Sequence, residues 1–277
     1  MAGTPKDTHF ARLRRQYRDQ KSGLAGAPPR QRSIPPGEAA PAGLVRLYGL
    51  HTVRAALDNP ARRISYMRVT RNALERLEIA DIAALPFEAR MVEPREIDQI
   101  TGSDAVHQGV LIEAEPLRPK RLSQLGQSRL VLVLDQVTDP HNVGAIMRSA
   151  VAFGAGALIT TARHSPQESG VLAKAASGAL EHIDHIEVRN LAEALNELRD
   201  AGFQTIGLDS DGAQVLESTF AGDRIALVLG AEGKGLRQKT RETVAALARL
   251  EMPGAIHSLN VSNAAAIALY AADRFLG

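Results

Sequence analysis

Five side chains in the second half of the chain have the types and the order that chemistry on an anionic substrate requires: Asn142, Arg148, Glu232, Ser258 and Asn260. The first two come from the stretch DQVTDPHNVGAIMRSA, in which Asp139 and Pro140 predict a sharp turn and a helix start. Arginine presents a planar fork that grips a phosphate or another oxyanion at two points and stays charged, although a surface salt bridge is the ordinary alternative for a helix arginine. Glu232 adds a fixed carboxylate within Gly230–Leu236, where three glycines let backbone amides approach a ligand. That loop is neither GxGxxG nor a P-loop ending in GK[ST], so neither standard phosphate motif fits. Ser258 and Asn260 precede the alanine-rich run Ala264–Phe275, placing side-chain oxygens where a helix N-terminus has free N–H groups; a plain helix cap is the competing explanation.

The elements that would carry these residues follow from the apolar pattern. Leu130–Leu134 is a run of five apolar residues, as expected of a parallel strand buried on both faces, and similar strands are predicted at Ala157–Thr160, Phe203–Leu208 and Ile225–Leu229. Helical patterns lie between them at Val143–Phe153, Gln167–Ala176 and Leu191–Arg199. The fold class is therefore α/β, a mostly parallel sheet with helices on both sides. In such sheets ligands bind at the carboxyl ends of strands, which selects the loops after Leu134, Leu229 and Leu250. Upstream, residues 44–115 alternate short strands (Leu44–Tyr48, Ile64–Val69, Phe87–Val92, Gly109–Ala114) with helices (Gly49–Leu57, Asn72–Ala84, Pro94–Ile100), a smaller α/β unit. Residues 116–128, with Pro116 and Pro119, read as a linker, and 129–277 as the second domain. Arg62, Arg63, Arg68, Arg71 and Arg76 line an RNA-facing side or are simply solvated.

The chain has 277 residues, 44% of them hydrophobic, enough to bury a real core. It has no cysteine, which removes disulfides, thiolate catalysis and sulfur-ligated metals. No apolar run reaches the roughly 20 residues that span a bilayer, and no secretory apolar core precedes the first domain, so a cytoplasmic protein is expected. Net charge is +2, but residues 1–43 hold eight Lys/Arg against Asp7, Asp19 and Glu38, with six prolines. They read as a disordered basic arm, either RNA-grasping or merely solubilising. His182 and His185 stand near Glu181, Asp184 and Glu187; with no further ligand in evidence, this is read as a solvated segment and no metal is expected.

The ordered set DQVTDPHNVGAIMRSA, LVLGAEGKGL and LEMPGAIHSLNVSNAAAIALY resembles the three signature motifs of the SpoU/TrmH branch of the SPOUT RNA methyltransferases, over about residues 130–277. Residues 44–115 look like the small substrate-binding domain of the type that methylates the ribose 2′-oxygen of a guanosine in large-subunit rRNA. The resemblance implies S-adenosylmethionine as methyl donor, a C-terminal trefoil knot, a homodimer with the knot region at its interface, and structured RNA as substrate. Matching the motifs carries Asn142, Arg148, Glu232, Ser258 and Asn260 over as catalytic positions, and Gly230, Leu250, Met252 and Leu259 as donor-binding ones. An ordinary arginine is a poor proton acceptor at neutral pH, so Arg148 is assigned to the target phosphate and the developing oxyanion, leaving the general base unnamed. Ser258 and Asn142 are assigned to positioning the nucleotide, Asn260 to supporting its loop, and Glu232 to orienting Arg148 or the substrate. A tRNA 2′-O-methyltransferase, a non-catalytic RNA-binding or ribosome-assembly factor, and a nucleotide-dependent oxidoreductase are the rival readings.

Overall fold

The computed structural model describes residues 40–102 and 104–277. The arm expected over 1–43 therefore lies, up to residue 39, outside the described residues. Two sheets follow. The first contains β1 (Val45–Tyr48), β2 (Ile64–Val69), β3 (Glu88–Met91) and β4 (Val110–Ala114), with α1 (Leu50–Asp58), α2 (Arg71–Arg76) and α3 (Pro94–Thr101) between them. Its order is β1-β4-β2-β3; β4 runs antiparallel to both neighbours, and β2 and β3 are parallel.

The second sheet has seven strands, all paired in parallel: β5 (Leu130–Asp135), β6 (Ala157–Thr161), β7 (Asp184–Val188), β8 (Gln204–Leu208), β9 (Gln214–Val215), β10 (Ile225–Gly230) and β11 (Ala246–Arg249). Their order is β7-β6-β5-β10-β8-β11-β9, so β10 is inserted between β5 and β8. The connecting helices are α4 (Pro140–Ala152), α5 (Gly170–Ala176), α6 (Leu191–Asp200), α7 (Leu216–Thr219), α8 (Gln238–Thr243) and α9 (Val261–Leu276). The unbroken apolar runs are explained by the two faces. Leu130, Leu132 and Leu134 pack with Ile146 and Leu269 of α4 and α9, whereas Val131 and Val133 pack with Leu195 and Leu198 of α6. Full burial of each such side chain contributes about 1.5–3 kcal/mol, so helices on both faces are required.

Three expectations need correction. The helix expected over Asn72–Ala84 ends at Arg76: Glu78 adopts a left-handed φ of 55°, and the chain resumes as a 3-10 turn at Ile82–Ala84, capped by Asp81. The helix expected from Gln167 begins only at Gly170, where the Ser169 hydroxyl accepts from the Leu172 N–H at 3.3 Å. The segment around His182 and His185 is solvated only in part, with His182 and Glu187 exposed. Its core is the edge strand β7, Glu181 is buried, and the His185 ring meets the Thr160 hydroxyl at 2.9 Å. Loss of water holds the His185 imidazole below its usual pKa. Lys120 N donates to His185 O, so part of the segment read as a linker runs along the β7 edge.

Candidate functional site

The sheet brings three loops to one end. β5 and β10 are neighbours in register, Gly230 opposite Asp135, so the chain leaves both strands side by side. After β5 the Asp139 carboxylate accepts from the His141 N–H at 3.0 Å and Pro140 opens α4. This is the turn expected from the Asp-Pro pair. After β10 the loop folds back on itself: Gly235 N donates to Ala231 O at 2.8 Å, and Gly233 and Gly235 take positive φ. A Cβ on Gly230 would fall within the backbone of Gly235 and Leu236, so this glycine is demanded by close approach of two chain segments. After β11 the chain crosses Glu251–Leu259, largely exposed, to reach α9.

Asn260 joins the three. Its Nδ2 donates to Asn142 Oδ1 at 3.0 Å and to Glu232 Oε1 at 2.7 Å. Its Oδ1 accepts from Ser262 N at 2.8 Å and Ser262 Oγ at 2.5 Å, capping α9. Asn260 thus caps α9 and at the same time bonds to residues of the other two segments. Asn142 is nearly buried on α4, while Glu232 and Asn260 are exposed. α4 itself is held close to α5, for a Cβ on Gly144 would meet Leu172 O at 2.5 Å and Ala175 Cβ at 2.6 Å.

Arg148 and Ser258 do not join this hydrogen-bonded set. Arg148 lies six residues beyond Asn142 on α4, exposed, and its side chain has no hydrogen bond or ion pair among the described residues. Its guanidinium therefore has every donor free for an incoming anion. Ser258 sits in the exposed crossing, whose backbone over Glu251–Leu259 makes no hydrogen bond among the described residues. Beside those free N–H and C=O groups stand the half-buried Met252, the part-exposed Leu259 and Leu250, which packs on the core. Gly230 thus closes β10, and Leu250, Met252 and Leu259 lie in the connection after β11.

Sequence reasoning missed Asp135. Its wholly buried carboxylate accepts from Arg237 Nε at 2.6 Å and Arg237 N at 3.0 Å, tying the end of β5 to the end of the Gly230–Leu236 loop. The available signal was a carboxylate closing a strand buried on both faces, which needs a counter-charge. A cleft of about 950 Å³ lies elsewhere, bordered by Arg63, Lys120, Thr160 and His185, and includes none of the five selected residues.

The SpoU rRNA Methylase family model matches residues 129–270, and a model described as RNA 2′-O ribose methyltransferase substrate binding matches residues 46–120. The chain is 39% identical over 240 residues to the 23S rRNA (guanosine-2′-O-)-methyltransferase RlmB of Ralstonia nicotianae, covering 82% of this chain and 94% of that protein. The same-named protein of Escherichia coli is 34% identical over 237 residues, covering 82% and 97%. Among solved structures, the AdoMet-bound rRNA methyltransferase of Sinorhizobium meliloti superposes with a TM-score of 0.70 at 26% identity, covering 85% of this chain and 88% of that one. The SpoU methyltransferase AviRb of Streptomyces viridochromogenes, with AdoMet, gives 0.71 at 21% identity, covering 84% and 91%, a likeness of fold.

Proposed function

This chain belongs to the SpoU rRNA methylase family, and from that premise we propose that it methylates the ribose 2′-oxygen of a guanosine in 23S rRNA, with S-adenosylmethionine as donor. The observation that carries the reading is the convergence of Asn142, Glu232 and Asn260 from three chain segments, with Arg148, exposed and without an ion pair among the described residues, further along the helix that carries Asn142. The loops fit the donor in kind: the free backbone groups of Glu251–Leu259 suit a base and a ribose, and Leu250, Met252 and Leu259 suit apolar faces, with Gly230 at the wall between loops. When bound, the donor supplies an electrophilic methyl group. The chain's own residues do the rest. Arg148 holds the target phosphate and stabilises charge developing on the ribose oxygen; Ser258 and Asn142 orient the nucleotide; Asn260 keeps Glu232 and Asn142 in register. In this reading 44–115 binds RNA, 116–128 connects, and 129–277 carries the methyl-transfer chemistry in the cytoplasm.

Two finer features belong to the same reading. A trefoil knot is supported by the path from β11, beyond β8, back to α9 on α4 and β10. A homodimer is supported by the apolar stripe that α9 leaves uncovered: Ile267 is 45% exposed and Tyr270 55%. Light scattering should give a dimer for the wild type and a monomer for Ile267→Glu. The central test is single-turnover methylation of 23S rRNA at saturating donor. Arg148→Ala should lower the rate by about 10²-fold or more, with donor affinity retained; an unchanged rate would remove Arg148 from the site.

A further inference from the structure

Arg62 lies in the turn between α1 and β2, and its side chain is wholly buried. Nε and Nη2 clasp Glu181, at 3.1 and 2.6 Å from Oε1, while Nη1 donates to Glu168 Oε1 at 2.6 Å and Glu115 O at 2.9 Å. The partners are themselves held. Leu117 N donates to Glu168 Oε2 at 2.8 Å, and Asn59 Nδ2 to Glu181 Oε2 at 2.6 Å. One guanidinium thus ties together the four-stranded sheet, the segment leaving it at Glu115–Leu117, and two points of the seven-stranded half. Burial raises the Glu168 carboxyl above its ordinary pKa; Arg62 opposes the shift and Glu181 adds to it.

The clamp is one end of a continuous seam. Leu47, Leu50, Val53 and Ala56 share a core with Leu172, Ala176 and Leu180, and Thr52 Oγ1 donates to Ala173 O at 3.1 Å. Gly170 at the start of α5 is pressed on Arg46 O, where a Cβ would sit at 2.6 Å. α5 in turn packs on α4, the helix of Asn142 and Arg148. The small sheet is therefore seated on the element that backs the site.

We infer that Arg62 is a positioning residue: it fixes the four-stranded sheet against α5, and so sets where RNA bound by that sheet meets Arg148. This rests on the function proposed above. Apolar packing alone would join two surfaces, whereas a buried fork engaging two carboxylates admits one register and is penalised in others.

The test uses the full chain and two variants. Arg62→Lys keeps the charge and loses the fork; the triple variant Arg62→Met, Glu168→Gln, Glu181→Gln removes all three charges, so that it folds without a buried unpaired ion. Donor affinity by calorimetry should stay within about twofold in both, because no donor-loop residue is touched. The Michaelis constant for an rRNA fragment should rise about tenfold or more in the triple variant, on the scale expected for misplaced substrate. Trypsin should cut faster after Lys120, which borders the open cleft beside the freed segment; Pro119 protects the bond after Arg118. Arg62→Lys should fall between the two. A folded triple variant with wild-type thermal stability, wild-type Michaelis constant and wild-type cleavage rate would overturn the inference. Should the wild type bind the rRNA fragment yet transfer no methyl group, the proposed function fails instead; the ratio of RNA affinities between wild type and triple variant then decides the clamp.

Discussion

Gly230→Ala puts the crossing of two chain segments to the test. All three atoms nearest to the added Cβ, Gly235 C, Gly235 O and Leu236 N, would lie closer than the 3.0 Å that real Cβ contacts essentially never undercut, and all three are backbone. No side chain can swing aside. The Ala231–Gly235 turn must open, losing its 2.8 Å hydrogen bond, or β10 must slide against β5, where Gly230 pairs with Asp135. Overpacking of this kind costs about 1–3 kcal/mol. At about 2–4 °C per kcal/mol for a chain of this size, the melting temperature should fall by about 2–12 °C. Displacing the loop by about 1 Å should also weaken donor binding and, with it, slow single-turnover methylation by about 10²-fold. Calorimetry with S-adenosylmethionine and differential scanning calorimetry give the two readouts. Gly126→Ala is the control, since nothing lies within 4 Å of its added Cβ and its φ is not positive. If Gly230→Ala kept wild-type melting and wild-type donor affinity, the close approach at the crossing would be wrong.

Asn260→Ala removes a helix cap worth about 1 kcal/mol and leaves Asn142 Oδ1 without its donor, a further penalty of about 1–3 kcal/mol for a buried group. Melting and methylation should both fall. Asn260→Asp keeps the acceptor for Ser262 but sets a carboxylate against Glu232, so it should melt above Asn260→Ala and still lose methylation; wild-type turnover in Asn260→Asp would contradict the shared role. His185 is neutral in the folded chain because burial lowers its pKa, whereas the unfolded chain protonates near pH 6.5. Its contribution is present above about pH 6.5 and is lost as pH falls through the lower folded value, by at most about 1.4 kcal/mol per pH unit. His185→Gln should flatten the melting-temperature profile below pH 6.5, and parallel profiles would exclude that account.

The large sheet was legible because its strands are apolar on both faces, and the ends predicted for Leu130–Leu134 and Ile225–Leu229 differ from the structure by one residue each. The two-residue strand Gln214–Val215 carries too little pattern to announce itself, and of β11 only its carboxyl end, near Leu250, was anticipated. β7 was hidden for another reason: three of its five residues are Asp184, His185 and Glu187, and the partner of the His185 ring, Thr160, is far away in sequence. The same distance hid the Arg62 clamp and the Asp135–Arg237 pair. Within the site, Asn142, Glu232 and Asn260 could be named from motifs, but that one amide side chain would bond the other two depends on loops separated by 118 and 28 residues.

The place of β10 has a consequence for how the protein is made. Residues 225–230 lie between two strands synthesised before them, one of them β5, so a chain that has emerged only as far as residue 224 cannot join β5 to β8. Until then Leu130–Leu134 presents an apolar strand with an open edge, a template for pairing with another nascent chain. Truncation products ending there are expected to aggregate, and a pause in translation after residue 230 would be far safer than one before 225. The strand that joins β5 to β8 is also the one on which escape from misassembly depends.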